Sequence, residues 1–187
     1  MQPAAGAGLA LSFSSSGILA VYQLGVACRL AQDTTIMSRL KAVGGSSGGA
    51  LVAAALCCES EDGILAIKDY ALSGAALRDM TLYDMYDPAA VVLPRAIKET
   101  GAFSAPDAHT KATNFLYVSV TNKRWENHLL TEFDDNKDLQ QSLQASCSFA
   151  RGGVTLKDGQ PWWDGGYSDS LPAPPPRLHS EPLSVVG

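Results

Sequence analysis

What this sequence lacks narrows its function before any motif is read. Positive charge is sparse: 14 Lys and Arg against 19 Asp and Glu leave a net charge of −5, and no basic cluster occurs along the chain. That argues against a nucleic-acid surface. Any membrane contact is therefore expected to rest on apolar side chains rather than on attraction to anionic lipid. No uninterrupted apolar run reaches the roughly 20 residues that span a bilayer. The opening MQPAAGAG holds no Lys or Arg and so lacks the charged start of a secretory leader. The expected location is cytoplasmic, with at most peripheral attachment to membranes or lipid droplets. No pair among Cys28, Cys57, Cys58 and Cys147 has metal-ligand spacing. Their apolar neighbours suggest buried thiols in a reducing compartment, with a disulfide left open. No Gly-Lys-Ser/Thr occurs and no metal motif is present, so no cofactor is expected.

What is there suits one α/β domain. The 187 residues, 46% of them hydrophobic, suffice for a single sizeable core, so one domain is expected over residues 1–187, with a Pro-rich loop at 172–182. Leu9 to Phe13 reads as a buried strand, followed by the small-residue turn Ser14 to Gly17. Ile18 to Leu30 is apolar on nearly every side, which predicts a helix buried on most faces. Leu40 to Val43 predicts a second strand, ending at a Gly/Ser turn, and Ala50 to Cys58 an Ala-rich helix able to pack closely on a sheet. Strand, glycine turn, helix thus occurs twice in sixty residues, the alternation of a sheet covered by helices. Further on, Asp62 to Ser73 has helical spacing, and Asp87-Pro88 looks like a helix start with Pro94 limiting it. Strands are expected at Phe115 to Val120 and Asn127 to Phe133, around the turn Asn122-Lys123-Arg124, and a helix at Leu139 to Phe149. Val154 to Leu156 and Gln160 to Trp163 flank Asp158-Gly159, a hairpin signal, although Pro161 limits the pairing. Leu183 to Val186 predicts one more strand.

The sharpest local signal is Gly45-Ser46-Ser47-Gly48-Gly49, which fits G-x-S-x-G. Small residues let a strand-to-helix turn bend tightly enough to push a serine side chain out of the sheet edge. The next helix then aims its N-terminus at the same spot, favouring the oxyanion formed when an ester carbonyl is attacked. A Gly/Ser linker is the bland alternative, but linkers are not usually held between an apolar strand and an Ala-rich helix. A serine needs a base. His109, His128 and His179 each sit in polar sequence, as surface histidines do. Asp164, in Trp162-Trp163-Asp164-Gly165-Gly166, is delivered by the hairpin to a corner where two tryptophans would partly desolvate it. Desolvation raises a carboxylate above its reference pKa of about 3.9 and makes it a better base.

These residues resemble the patatin-like lipid hydrolases, which combine a glycine-rich oxyanion loop after the first strand, a G-x-S-x-G elbow and a late Asp-Gly-Gly or Asp-Gly-Ala. The order matches here, and Leu11 to Ala27 is similar to the animal lipid-droplet lipase branch in particular. The resemblance runs from about Leu9 to Leu171. It implies a three-layer α/β sandwich, a mainly parallel sheet with helices on both faces. It also implies lipid acyl-ester hydrolysis by a Ser47–Asp164 dyad. The oxyanion donors would be the N–H groups of Ser16, Gly17, Ile18 and Gly48, with Gly45, Gly49, Gly165 and Gly166 shaping the turns. The family's first loop reads G-x-G-x-x-G, whereas this chain has Ser15, Gly17 and Ala20 at those positions. A non-glycine residue in a strained conformation there would cost about 1–3 kcal/mol, and a lost donor about 2.7–4 kcal/mol.

Two other readings stand beside it. Ser47, Asp164 and His179 occur in the chain order of a Ser–His–Asp α/β-hydrolase. The serines of the first loop equally motivate a lipid-binding relative that has the fold but no turnover. Met80 to Met85 (MTLYDM) could touch a lipid surface or line a core.

Overall fold

The computed structural model describes residues 8–75, 78 and 88–175. The expected helix start at Asp87, the Met80 to Met85 segment, His179 and the Leu183 to Val186 strand lie outside the described residues. In chain order the elements are β1 (Leu9–Phe13), α1 (Ala20–Ala31), α2 (Thr34–Arg39), β2 (Leu40–Ser46), α3 (Gly48–Cys58), α4 (Glu61–Leu72), α5 (Pro88–Thr100) with Pro94 inside it, α6 (Ala108–Ala112), β3 (Leu116–Thr121), β4 (Asn127–Leu130), α7 (Asn136–Ser146), β5 (Val154–Thr155) and β6 (Pro161–Asp164). Short 3-10 turns cover Gly17–Leu19 and Gly165–Tyr167.

The sheet is mixed. β1, β2 and β3 run parallel, with Ser12 beside Gly44 and Gly45 beside Val118, and β4, β6 and β5 are antiparallel to their neighbours. The α/β architecture read from the alternation of strand, turn and helix is therefore present. Both faces of the centre are covered, because every residue of β3 is buried, as a strand inside a parallel sheet requires. On one face Val43, Val118 and Val120 join the core that α3 completes with Val52 to Leu56. On the other, Ser12 donates to the Pro172 carbonyl, the Ser119 hydroxyl to that of Asp169, and Pro174 lies against Gly44.

Three details depart from the sequence reading. α1 was expected to be buried on most faces, yet only Leu24, Ala27 and Cys28 are buried and Tyr22 is 75% exposed. Its buried stripe meets α3 and α4, and nothing described covers the opposite side. α2 and α6 have no apolar periodicity to announce them; α2 starts because the Asp33 carboxylate accepts from the N–H groups of Thr35 and Ile36 at 3.0 and 3.1 Å. α7 begins three residues early, capped by Asp135 through Asp138 N–H at 2.8 Å, and stops at Ser146. The four cysteines are free thiols here, three of them buried.

Gly25 and Gly49 make a controlled comparison. A Cβ on exposed Gly25 would meet nothing, whereas one on Gly49 would lie 2.5 Å from the Ser14 carbonyl at the end of β1. Gly25→Ala is expected to add about 0.5–1 kcal/mol through helix propensity, raising the melting temperature by about 1–4 °C. Gly49→Ala is expected to cost about 1–3 kcal/mol or more by overpacking. Thermal melts of the two variants check this.

Candidate active site

A strand has two edges, and the two edges of β3 are used differently. β4 occupies one from Val118 to Thr121. β2 holds the other up to Ser119, whose partner is Ser46. There β2 ends, and the next residue of β3, Val120, pairs with Asp164 of β6. β6 thus takes the edge that β2 gives up, and Asp164 stands beside the turn that begins at Ser47.

That turn is strained as a nucleophile elbow requires. Ser47 has φ 55° and ψ −129°, a left-handed conformation, and is the N-cap of α3. Its N–H donates to the Ser146 hydroxyl at 3.0 Å, which in turn donates to the Ser119 carbonyl at 2.7 Å. A side chain of α7 therefore ties the elbow to β3. Gly45 packs against the opening turn of α3, with Ala50 N 2.6 Å from where its Cβ would be. Gly48 supplies one of the N–H groups that the first turn of a helix leaves without an intrahelical acceptor.

The loop after β1 closes over this point. A Cβ on Gly48 would lie 2.9 Å from the Gly17 carbonyl and 3.2 Å from the Ser16 hydroxyl, so Ser16, Gly17 and Gly48 are neighbours. Ile18 follows in the same 3-10 turn, its side chain 76% exposed. Gly17 has φ +50° and needs to be glycine. Ala20 sits in ordinary right-handed helix, and Ser15 is not among the residues at positive φ. The glycines missing from those positions therefore impose no left-handed strain. Ser15 gains a role instead: its hydroxyl donates to that of Ser46 at 3.0 Å, and its N–H to the Ser170 carbonyl at 2.7 Å. Gln23 of α1 holds Ser14 through two contacts of 3.2 Å.

Asp164 is 2% exposed. Its N–H donates to Ser148 O at 2.9 Å and its carbonyl accepts from the Thr121 hydroxyl at 2.7 Å, so its backbone is fixed from two sides. Oδ1 accepts from Gly166 N–H at 2.7 Å. Oδ2 is buried with no hydrogen-bond partner among the described residues. Burial pushes the carboxyl above the ordinary aspartate range; the Ser47 hydroxyl, near enough to favour the charged form, and Gly166 N–H pull the other way without cancelling it. The Ser47 hydroxyl thus lies close to the Asp164 carboxyl, whose Oδ2 is left without a hydrogen bond among the described residues. Gly165 lies against Ser119, and Gly166 against Ser15.

The structure thus brings together Ser47, Asp164, Ser16, Gly17, Gly48 and the flanking glycines. Of the histidines, His109 contacts Asn136 at 2.9 Å, while His128 contacts Asn122 at 3.1 Å and stacks edge-on with Trp162. Sequence reasoning missed Ser146 and the tie made by Ser15. Ser146 sits in a polar helical stretch without any local signal, and Ser15 was visible only as a departure from glycine.

A family model described as patatin-like phospholipase matches residues 11–176. The chain belongs to the patatin-like phospholipase family. Among curated proteins it is similar to the human patatin-like phospholipase domain-containing protein 4, with 34% identity over 171 residues, covering 88% of this chain and 67% of the human one. Membership of this patatin-like family supports hydrolysis of lipids, and no helix among the described residues is long and apolar enough to cross a membrane.

The buried carboxyl makes a stability prediction with a definite sign. Because its pKa is raised in the folded state, Asp164 contributes most to stability in acid, and that contribution is lost as pH rises through the raised value. Asp164→Asn, neutral throughout, is expected to melt no lower than wild type at neutral pH. The gap should close as pH falls below the ordinary aspartate range of about 3.9. A variant melting below wild type at neutral pH would show the carboxylate to be stabilising after all.

Proposed function

We propose that this chain is a carboxylic ester hydrolase acting on lipids of the acylglycerol or phospholipid class, with Ser47 as nucleophile and Asp164 as general base. The observation that carries the reading is the Ser47 hydroxyl held at a strained elbow close to a desolvated carboxyl whose Oδ2 has no hydrogen-bond partner among the described residues. Ser47 Oγ attacks the acyl carbonyl and its proton passes to Asp164. The oxyanion is met by N–H groups of Ser16, Gly17, Ile18 and Gly48 and by the N-terminal end of α3. Collapse breaks the bond to the alcohol, which leaves with the proton from Asp164. Water then attacks the acyl-serine, Asp164 again takes a proton, and the fatty acid departs as Ser47 is restored. No histidine is needed in this scheme, because burial brings the carboxylate closer in basicity to its task.

A fluorophosphonate probe should label wild type and not Ser47→Ala, and the same variant should lose nitrophenyl-ester hydrolysis by about 10⁴-fold or more. Asp164→Asn should lower kcat by about 100- to 10,000-fold, and the acid limb of the wild-type profile should lie above the ordinary aspartate range. His179→Ala should keep full activity; its inactivation would return the Ser–His–Asp reading. A folded wild type that neither labels nor cleaves would sink the hydrolase and leave a lipid-binding relative.

A further inference from the structure

Along the sequence no basic cluster is visible, but folding assembles one. The turn between β3 and β4 brings Lys123 and Arg124 together, and Lys123 and Arg151 line the same cleft of about 300 Å³. All three cations are exposed, and among the described residues none enters an ion pair. The carboxylate on this turn, Glu126, is engaged by Asn122 Nδ2 at 2.8 Å.

The same cleft carries aromatic rings. Trp125, Tyr167 and Phe149 are 67%, 46% and 49% exposed. Tyr167 meets both of the others edge-on, with ring centroids 5.3 Å from Trp125 and 5.7 Å from Phe149. Water-exposed rings of this size are normally avoided unless they serve an interface. Trp125 is also held in place. It has φ 63°, a left-handed conformation that a bulky residue rarely adopts. Asn122 fixes the turn: its Oδ1 accepts from Arg124 and Glu126 N–H at 2.8 and 3.0 Å, and its carbonyl from Trp125 N–H at 3.0 Å.

We propose that this aromatic and basic face docks the protein onto a lipid surface bearing anionic phospholipid headgroups. Tryptophan and tyrosine place an apolar ring and a polar edge at the level of headgroups, and the three cations around them complement headgroup charge. The chain as a whole does not, since its net charge is −5 even with these three cations counted. Attraction confined to one face therefore orients the molecule as well as holding it. Tyr167 follows Asp164 through the 3-10 turn Gly165–Tyr167, so the face that meets the lipid adjoins the candidate site. The docking itself stands on these residues, while its use rests on the lipid-hydrolase reading.

The test is co-sedimentation of the full chain with vesicles of phosphatidylcholine alone or mixed with phosphatidylserine. Partitioning should favour the anionic vesicles and weaken with added salt. Lys123→Gln with Arg151→Gln should reduce it roughly fivefold per cation removed, and Trp125→Ala should weaken binding to both compositions. Circular dichroism confirms folding, and hydrolysis of a soluble short-chain ester should be unchanged in all of these variants. Equal partitioning to the two compositions, or variants that bind as wild type does, overturns the proposal. So does a folded, ester-cleaving protein that ignores vesicles, in which case the hydrolase reading survives alone. Vesicle binding without ester cleavage would support the docking face and remove the hydrolase. Retention on poly-glutamate without vesicle binding would assign the face to an acidic protein and overturn it.

Discussion

The candidate site depends on the way one edge of β3 is shared. β2 pairs as far as Ser119, and β6 pairs from Val120 onward, so the end of one strand abuts the end of another running the opposite way. The backbone groups that β2 would leave unpaired at its end are replaced by those of β6, which satisfies the sheet where a chain must leave it. Because β6 terminates in Asp164 and β2 in the elbow, the same hydrogen-bond economy that completes the sheet sets a hydroxyl against a carboxyl. The meeting of Ser47 and Asp164 is a by-product of how two short strands are packed end to end.

Much of this was legible in the sequence, and what was not has physical causes. β1, the Ala-rich α3, and the hairpin that ends in Asp164 all carry local signals: an apolar run, a glycine turn, a composition that suits close packing. The elbow was legible because a Gly/Ser cluster between a strand and a helix has few other uses. Ser146 was not, since its role depends on two partners far away in the chain and its own surroundings are polar helix. Nor was the gathering of Arg151 with Lys123 and Trp125, which exists only once the loop after α7 meets the β3–β4 turn. The exposure of α1 defeated the pattern for a different reason. Periodicity reports which side chains are apolar, and nothing in it says how many neighbours the fold supplies.

The loop after β1 carries serine and alanine where the family motif has glycine, and does so without left-handed strain at either position. Only Gly17 occupies a conformation that calls for glycine. At the first position Ser15 adds a hydrogen bond to Ser46 and a wedge against Gly166. A site assembled from small residues has little room, so an added hydroxyl survives only where it finds a partner, as this one does.

The tie between Ser47 and Ser146 joins residues separated by 99 positions, and Ser15 is held by Ser170. During synthesis the elbow sequence leaves the ribosome 99 residues before Ser146, which holds its N–H. Non-local contacts of this kind close last in folding. A chain cut short before Ser146 would therefore carry Ser47 without the hydroxyl that holds its N–H, and the turn takes its full shape only when β6 pairs beside β3.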